Sequence, residues 1–132
     1  MAALKNILKP ELILFAQNQE QLIGCCISMP DINQVIRKMN GKLFPFGIFQ
    51  YLYYKPKINR VRLMLLAVDP AYRNKGLDTF FCYHSILHAI LLGYNEAELS
   101  WVSEENTGLI NILKKFKAEL YKEYRVYGKE IN

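Results

Sequence analysis

The segment most able to do chemistry is Asp69-Pro-Ala-Tyr-Arg-Asn-Lys-Gly-Leu-Asp78, between an apolar strand pattern and a long apolar helix pattern. These residue types in this order suit the binding of a phosphate group. A glycine at position 76 lets the backbone turn tightly just before the helix. The first amides of that helix have no intrahelical partner. They point outward with the positive end of the helix dipole behind them. Arg73 and Lys75 add positive charge at the same place. The loop is neither G-x-G-x-x-G nor G-x-x-x-x-G-K-[ST], which excludes dinucleotide-fold and P-loop chemistry on sequence.

Other constellations carry less. His84 and His88 stand i, i+4 on the helix pattern, the spacing of two metal ligands, but no third ligand follows at useful spacing and no metal site is expected. Ser85, Ser100 and Ser103 lack the G-x-S-x-G context of a serine hydrolase. Cys25 and Cys26 are adjacent, Cys82 stands alone, and no C-x-x-C occurs. That pattern gives no support to a zinc or dithiol centre and reads as buried thiols in a reducing, cytoplasmic compartment. Trp101 and Tyr94 read as core. Seven basic residues (Arg37, Lys38, Lys42, Lys55, Lys57, Arg60 and Arg62) lie among aromatics, with no Asp or Glu between positions 32 and 68. They straddle several elements and read as a solvated face rather than a nucleic-acid surface.

These residues need a scaffold, and 132 residues with 52% apolar and 22% charged side chains specify one globular domain, 1–132. The longest strictly apolar run, 63–68, is far short of the ~20 residues of a membrane span. The net charge of +5 favours an anionic partner. Segments 11–17 and 22–29 read as a hairpin with a four-residue loop, ended by Pro30. Asp31 caps a short helix over 32–39, which Asn40-Gly41 closes. Residues 60–69 form a central strand, 77–92 a helix apolar nearly all round and therefore deeply packed, and 96–103 a strand. An amphipathic helix over 106–117 and a last strand over 120–127 follow. Strand 61–69, helix 77–92 and strand 97–103 make a right-handed β-α-β unit with parallel strands, inside a mixed, partly parallel α/β sheet flanked by helices.

Leu66-Ala-Val-Asp-Pro-Ala-Tyr-Arg-Asn-Lys-Gly-Leu77 resembles the strand, V-x-P-x-x-R-x-x-G-[ILV]-[GA], helix pattern of the GNAT acyl-CoA-dependent N-acyltransferases. Glu98-Leu-Ser-Trp-Val-Ser-Glu-Glu-Asn106 is similar to that family's next strand, ending in the asparagine that opens the following helix. The closing helix and strand make a third likeness. Together they cover roughly residues 60–130, and 11–30 looks like the family's preceding hairpin. The resemblance implies acyl-CoA, most often acetyl-CoA, as co-substrate of an N-acetyltransferase. Backbone at Leu66, Ala67 and Val68 would pair with the pantetheine arm. The loop of Arg73, Asn74, Lys75, Gly76, Leu77 and Asp78 would cradle the pyrophosphate, with Asn106 near the cofactor arm. A small-molecule or peptide amine would attack the thioester directly, its proton taken by a base. Glu98 and Glu104 are the candidates.

The chain departs from the family at several points. Asp78 stands where the family usually has Gly or Ala, and Leu113 where a tyrosine commonly acts as general acid. Only ten residues precede Glu11, so the N-terminal part of the fold is reduced or missing. The chain divides into a hairpin (11–30), an aromatic insertion (31–57) and an acyl-CoA-binding core (58–130). Within the insertion Phe44, Phe46, Phe49, Tyr51, Tyr53 and Tyr54 suit an acceptor-pocket wall, a homodimer interface through 42–54, or ordinary core. The alternative to an enzyme is a GNAT-like CoA-binding or assembly module without catalysis.

Overall fold

Two apolar segments of strand length, separated by a polar turn, make the first two elements a hairpin. In the computed structural model, which describes residues 8–39, 47–128 and 130, β1 (Ile13–Asn18) pairs antiparallel with β2 (Gln21–Pro30). The connecting turn is two residues long, shorter than the expected four, because Gln19 adopts φ 56° and closes it tightly. β3 (Arg60–Val68) pairs antiparallel with β2, and β4 (Glu96–Leu99) lies parallel to β3, giving the sheet order β1-β2-β3-β4. The mixed, partly parallel sheet expected from the sequence is therefore what forms. Two short helices, α1 (Asn33–Lys38) and α2 (Gly47–Tyr54), connect β2 to β3. Positions 40–46, with Phe44, Phe46 and the Asn40-Gly41 helix stop, lie outside the described residues.

One face of the sheet is closed by α3 (Leu77–Leu91). Phe81, Ser85 and Ala89 follow the i, i+4 rhythm of a helix face and are all buried. Phe81 lies against Gly24 so closely that a Cβ there would come within 2.9 Å of its ring and 3.0 Å of the Ala67 carbonyl oxygen. Ser85 and Ser28 share a buried 2.6 Å hydroxyl hydrogen bond, which satisfies both groups. Val61, Ala89 and Leu12 complete the core at the far end. The outer side of α3 is open: Phe80, Tyr83, Ile90 and Leu91 are exposed. The helix is thus half packed, not sunk on all sides as its composition suggested, because only its 81–85–89 face meets the sheet.

Chain contacts separate two compact units, residues 1–101 and 102–132. β4 ends at Leu99, four residues before the expected limit; Ser100 N–H still donates to the Leu63 carbonyl, and then Trp101 turns the chain at φ 52°. In the second unit, α4 (Thr107–Lys115) is capped by Asn106, whose Oδ1 accepts from Leu109 N–H at 3.2 Å. The strand expected over 120–127 does not form. No described strand offers it a ladder, and Leu120, Val126 and Tyr127 are exposed. Alternation makes a strand only where a partner edge supplies backbone hydrogen bonds.

Two predictions follow from this packing. Gly24→Ala should destabilise the chain by about 1–3 kcal/mol in chemical denaturation, since Phe81 and the Ala67 backbone must give way; an unchanged midpoint would contradict the close packing. Burial pushes the Cys26 and Cys82 thiols from 9.0 up to about 11, with further upward contributions from Cys82 on the former and Asp78 on the latter. Unfolded thiols ionise near 9 and folded ones near 11, so between those values the unfolded chain binds fewer protons. Stability should fall with rising pH across that window, by roughly 1.4 kcal/mol per pH unit for each thiol, with no such contribution below it. Cys82→Ala should decline less steeply over the same range; parallel curves would refute the assignment.

Candidate functional site

The candidate site begins where β3 loses its neighbour. Pairing between β3 and β4 runs from Arg60–Glu96 to Leu63–Leu99 and stops, while β3 continues to Val68. Asp69 N–H donates to the Ile23 carbonyl at 2.9 Å, which places residues 69, 67 and 65 in the bonded positions of the antiparallel ladder with β2. By alternation Leu66 and Val68 turn their amides and carbonyls to the opposite edge, which no described strand pairs. A register shift opposite Ile27 and Ser28 inserts Met64 as an extra residue where the pairing to β4 ends.

Residues 69–78 follow directly. Asp69 Oδ1 accepts from Ala71 N–H at 2.8 Å and shapes a 3-10 turn, Pro70–Tyr72. Asn18 Nδ2 donates to the Tyr72 hydroxyl at 2.7 Å, which ties the loop to the hairpin. Arg73 Nε donates to the Val68 carbonyl at 3.2 Å, and Lys75 Nζ sits 5.0 Å from the Tyr72 ring centroid. Asn74 and Gly76 both take left-handed backbone, at φ 58° and 84°, and swing the chain into α3. The first helical bond is Phe80 N–H to Gly76 carbonyl, so the amides ahead of it need other acceptors. Asp78 Oδ1 accepts from Thr79 N–H at 2.8 Å. Its carboxylate therefore occupies one orphan amide, while no hydrogen bond among the described residues takes those of Gly76, Leu77 or Asp78. A strand edge that no described strand pairs, with only its Val68 carbonyl taken by Arg73, leads to helix-terminal amides that no described residue accepts from; it suits an elongated ligand that carries amide groups along its length and an anionic group at its end.

Of the two carboxylates considered as bases, Glu98 is engaged elsewhere. Its Oε1 accepts from Arg62 Nη2 at 3.0 Å and its Oε2 from Arg60 Nη1 at 3.3 Å, on a side chain only 11% exposed. Arg60 also grips Glu96 through Nε and Nη2 at 2.8 and 2.6 Å, and Arg62 Nε reaches Ser100 Oγ at 3.0 Å. Glu98 is thus a strut between parallel strands, held by Arg60 and Arg62. The signal was legible: Arg-x-Arg on one strand and Glu-x-Glu on its neighbour put four charges on one face. Glu104 lies in the second unit and is exposed. Asn106, in the same unit, uses its side-chain oxygen as the cap of α4. Among the described residues no group of His, Cys, Asp and Glu is arranged to hold a metal ion, and no helix is long and apolar enough to cross a membrane. His84 stacks on Phe80 at 4.1 Å between ring centroids.

The architecture has solved counterparts. An aminoglycoside acetyltransferase, meta-AAC0020 from an uncultured soil metagenomic sample, aligns with TM-score 0.57 at 9% identity, over 91% of this chain and 65% of its own. The aminoglycoside acetyltransferase AAC(6')-Iy, in complex with a bisubstrate analogue of CoA, aligns with TM-score 0.57 at 19% identity, over 89% of this chain and 67% of its own. The fold is GNAT-like. It corresponds to part of those structures, 65% and 67% of their chains. In sequence, the chain is 31% identical over 98% of its length to a bacterial ceramide synthase from Caulobacter vibrioides. It is 30% identical over 97% of its length to Protein YghO from Escherichia coli. The chain spans about a third of the length of these curated relatives (35% and 34%). No family model matches.

The two carboxylates separate in a stability measurement. Glu98→Ala should lower the unfolding free energy by about 1–3 kcal/mol, since two partly buried guanidinium groups lose an acceptor. Glu104→Ala should change it by less than about 0.5 kcal/mol. Equal losses in urea denaturation would overturn the division of labour.

Proposed function

We propose that this chain is the acyl-CoA-binding part of an N-acyltransferase that moves an acyl group from CoA to an amine. One observation carries the reading: the unpaired edge of β3, at Leu66 and Val68, runs into a loop whose helix-terminal amides at 76–78 are free. The edge suits the two amides of a pantetheine arm and the loop suits a diphosphate. The GNAT-like fold and the sequence likeness to a ceramide synthase support it. A ceramide is by definition the N-acyl derivative of a long-chain amino alcohol. The acceptor proposed is therefore such an amine, and the donor a long-chain acyl-CoA rather than acetyl-CoA.

The chemistry requires a neutral amine nitrogen. A base takes the ammonium proton, the nitrogen lone pair attacks the thioester carbonyl carbon, and the tetrahedral centre collapses with loss of the CoA thiolate, which takes up a proton. A backbone amide on the open β3 edge, at Leu66 or Val68, supplies a donor for the developing oxyanion. Glu104 and Glu98 are the proposed bases on the sequence resemblance, Glu98 being held by two arginines. Lys75 and the α3 terminus hold the diphosphate, with Arg73 setting the loop through Val68.

A second reading, CoA binding without catalysis, is favoured by Asp78, a carboxylate at the mouth of an anion cradle, and by Leu113 in place of the expected tyrosine. Calorimetry with CoA and release of free CoA thiol in the presence of a long-chain amino alcohol separate the two. Under the transferase reading both are positive, Gly76→Glu abolishes binding, and Asp78→Asn tightens it by about fivefold by removing a like charge while keeping the Thr79 hydrogen bond. Binding without thiol release across a panel of long-chain amines decides for the second reading. Unchanged CoA affinity in Gly76→Glu removes the cradle from either.

A further inference from the structure

The segment between β2 and β3 has a task that the acyl-CoA site does not use. In α2, Phe49, Leu52 and Tyr53 stand at i, i+3 and i+4, hence on one face of the helix. They are exposed by 73%, 61% and 63%. Such a face on an eight-residue helix is costly in water, and no described part of the chain covers it. Basic residues frame it. Lys57, just beyond the helix, holds its ammonium 3.7 Å from the Tyr53 ring centroid and 5.4 Å from that of Tyr54. The adjoining helix α1, packed against α2, ends in exposed Arg37 and Lys38. No Asp or Glu occurs between positions 32 and 68 to offset them. Arg60 and Arg62, in contrast, are already spent on Glu96 and Glu98.

We propose that α1 and α2 seat this protein on an anionic lipid bilayer, with Phe49, Leu52 and Tyr53 entering the headgroup boundary and Arg37, Lys38 and Lys57 meeting the lipid phosphates. The combination of an apolar, aromatic face with a cationic border is what a helix lying in the plane of an interface requires. Aromatic side chains with a polar tip, such as Tyr53, suit the headgroup level. A second copy of the chain suits the face less well. A two-fold interface would bring the same cationic border against itself, in a molecule whose net charge is already +5. A nucleic acid would use the cations and leave Phe49 and Leu52 without a purpose. The inference stands independently of acyl transfer, because its readout is binding to lipid without any substrate.

The test is co-sedimentation of the 132-residue chain with vesicles of phosphatidylcholine alone and of phosphatidylcholine mixed with phosphatidylglycerol. The expected result is pelleting with the mixed vesicles that weakens as salt is raised, and little pelleting with the neutral ones. Phe49→Ser with Leu52→Ser should abolish it while circular dichroism and the denaturation midpoint stay as in the parent, since both side chains are exposed. Lys38→Glu with Lys57→Glu tests the charge arm separately and should cost at least roughly 20-fold in partitioning. Three outcomes overturn the proposal. One is equal binding to both vesicles or none to either. Another is pelleting that survives the Phe49 and Leu52 changes. The last is an absence of vesicle binding together with either a lipid-free dimer split by those changes, which gives the face to a second copy, or duplex-DNA binding lost with the Lys38 and Lys57 changes, which gives it to nucleic acid.

Discussion

The structure depends on a parallel strand pair that is bolted at one end and open at the other. Arg60 and Arg62 on β3 face Glu96 and Glu98 on β4, with Ser100 closing the row. Opposite charges across neighbouring strands favour this register over a slip, because a one-residue shift would turn the carboxylates to the face where Val61 is buried. The pairs are partly exposed, so their contribution is modest in energy and larger in specificity. With the register fixed there, the ladder ends at Leu63–Leu99 and the rest of β3 presents a bare edge. The ladder goes no further because Trp101 turns the chain away at φ 52°.

What aligns the bare edge with the helix terminus is the packing of α3. The Ser28–Ser85 bond and the Phe81–Gly24 approach fix both the rotation and the height of the helix over β2. Gly24 is paired with Val68, the last residue of β3, so Phe81 lies over the end of the strand from which the 69–76 loop departs. The loop is then determined at both ends. Asp69 and Arg73 bond back to their own turn and to Val68, and Tyr72 is tied to β1 through Asn18. The left-handed residues Asn74 and Gly76 complete the reversal. Rigid elements on both sides leave the amides at 76–78 with a fixed direction, which is what recognition of an anion by backbone requires.

Much of this was readable in the residues. The hairpin, β3, α3 and the glycine loop announced themselves through period, capping types and punctuation. The misreadings share a cause: each element involved depends on a partner that the local pattern does not contain. Residues 120–127 read as a strand, yet are not among the strands of the described residues. The composition of α3 suggested burial on all sides, yet Phe80, Tyr83, Ile90 and Leu91 are exposed. In the aromatic run 42–54 the spacing of 49, 52 and 53 was helical beneath residues that favour strands, and Gly47 opens the helix. Glu98 is instructive in the opposite sense. The Arg-x-Arg and Glu-x-Glu motifs taken together read as a row of charges across two strands, which neither shows alone.

Asp78 marks the balance the site must strike. At the second position of α3 its negative charge favours the helix, because it faces the positive end of the dipole. The same charge opposes an incoming diphosphate. The geometry limits that conflict, since its Oδ1 is turned onto Thr79 N–H, deeper in the first turn, and the amides of Gly76 and Leu77 stay clear of it. Lys75, held near Tyr72, supplies a compensating cation one turn away from the carboxylate. Under the proposed function, affinity for a polyanion would rest on backbone dipoles set by a left-handed glycine, with side-chain charge close to neutral in sum. Such a cradle discriminates by shape more than by charge. It favours a ligand whose remaining length also lies along the β3 edge over a free phosphate that touches the loop alone.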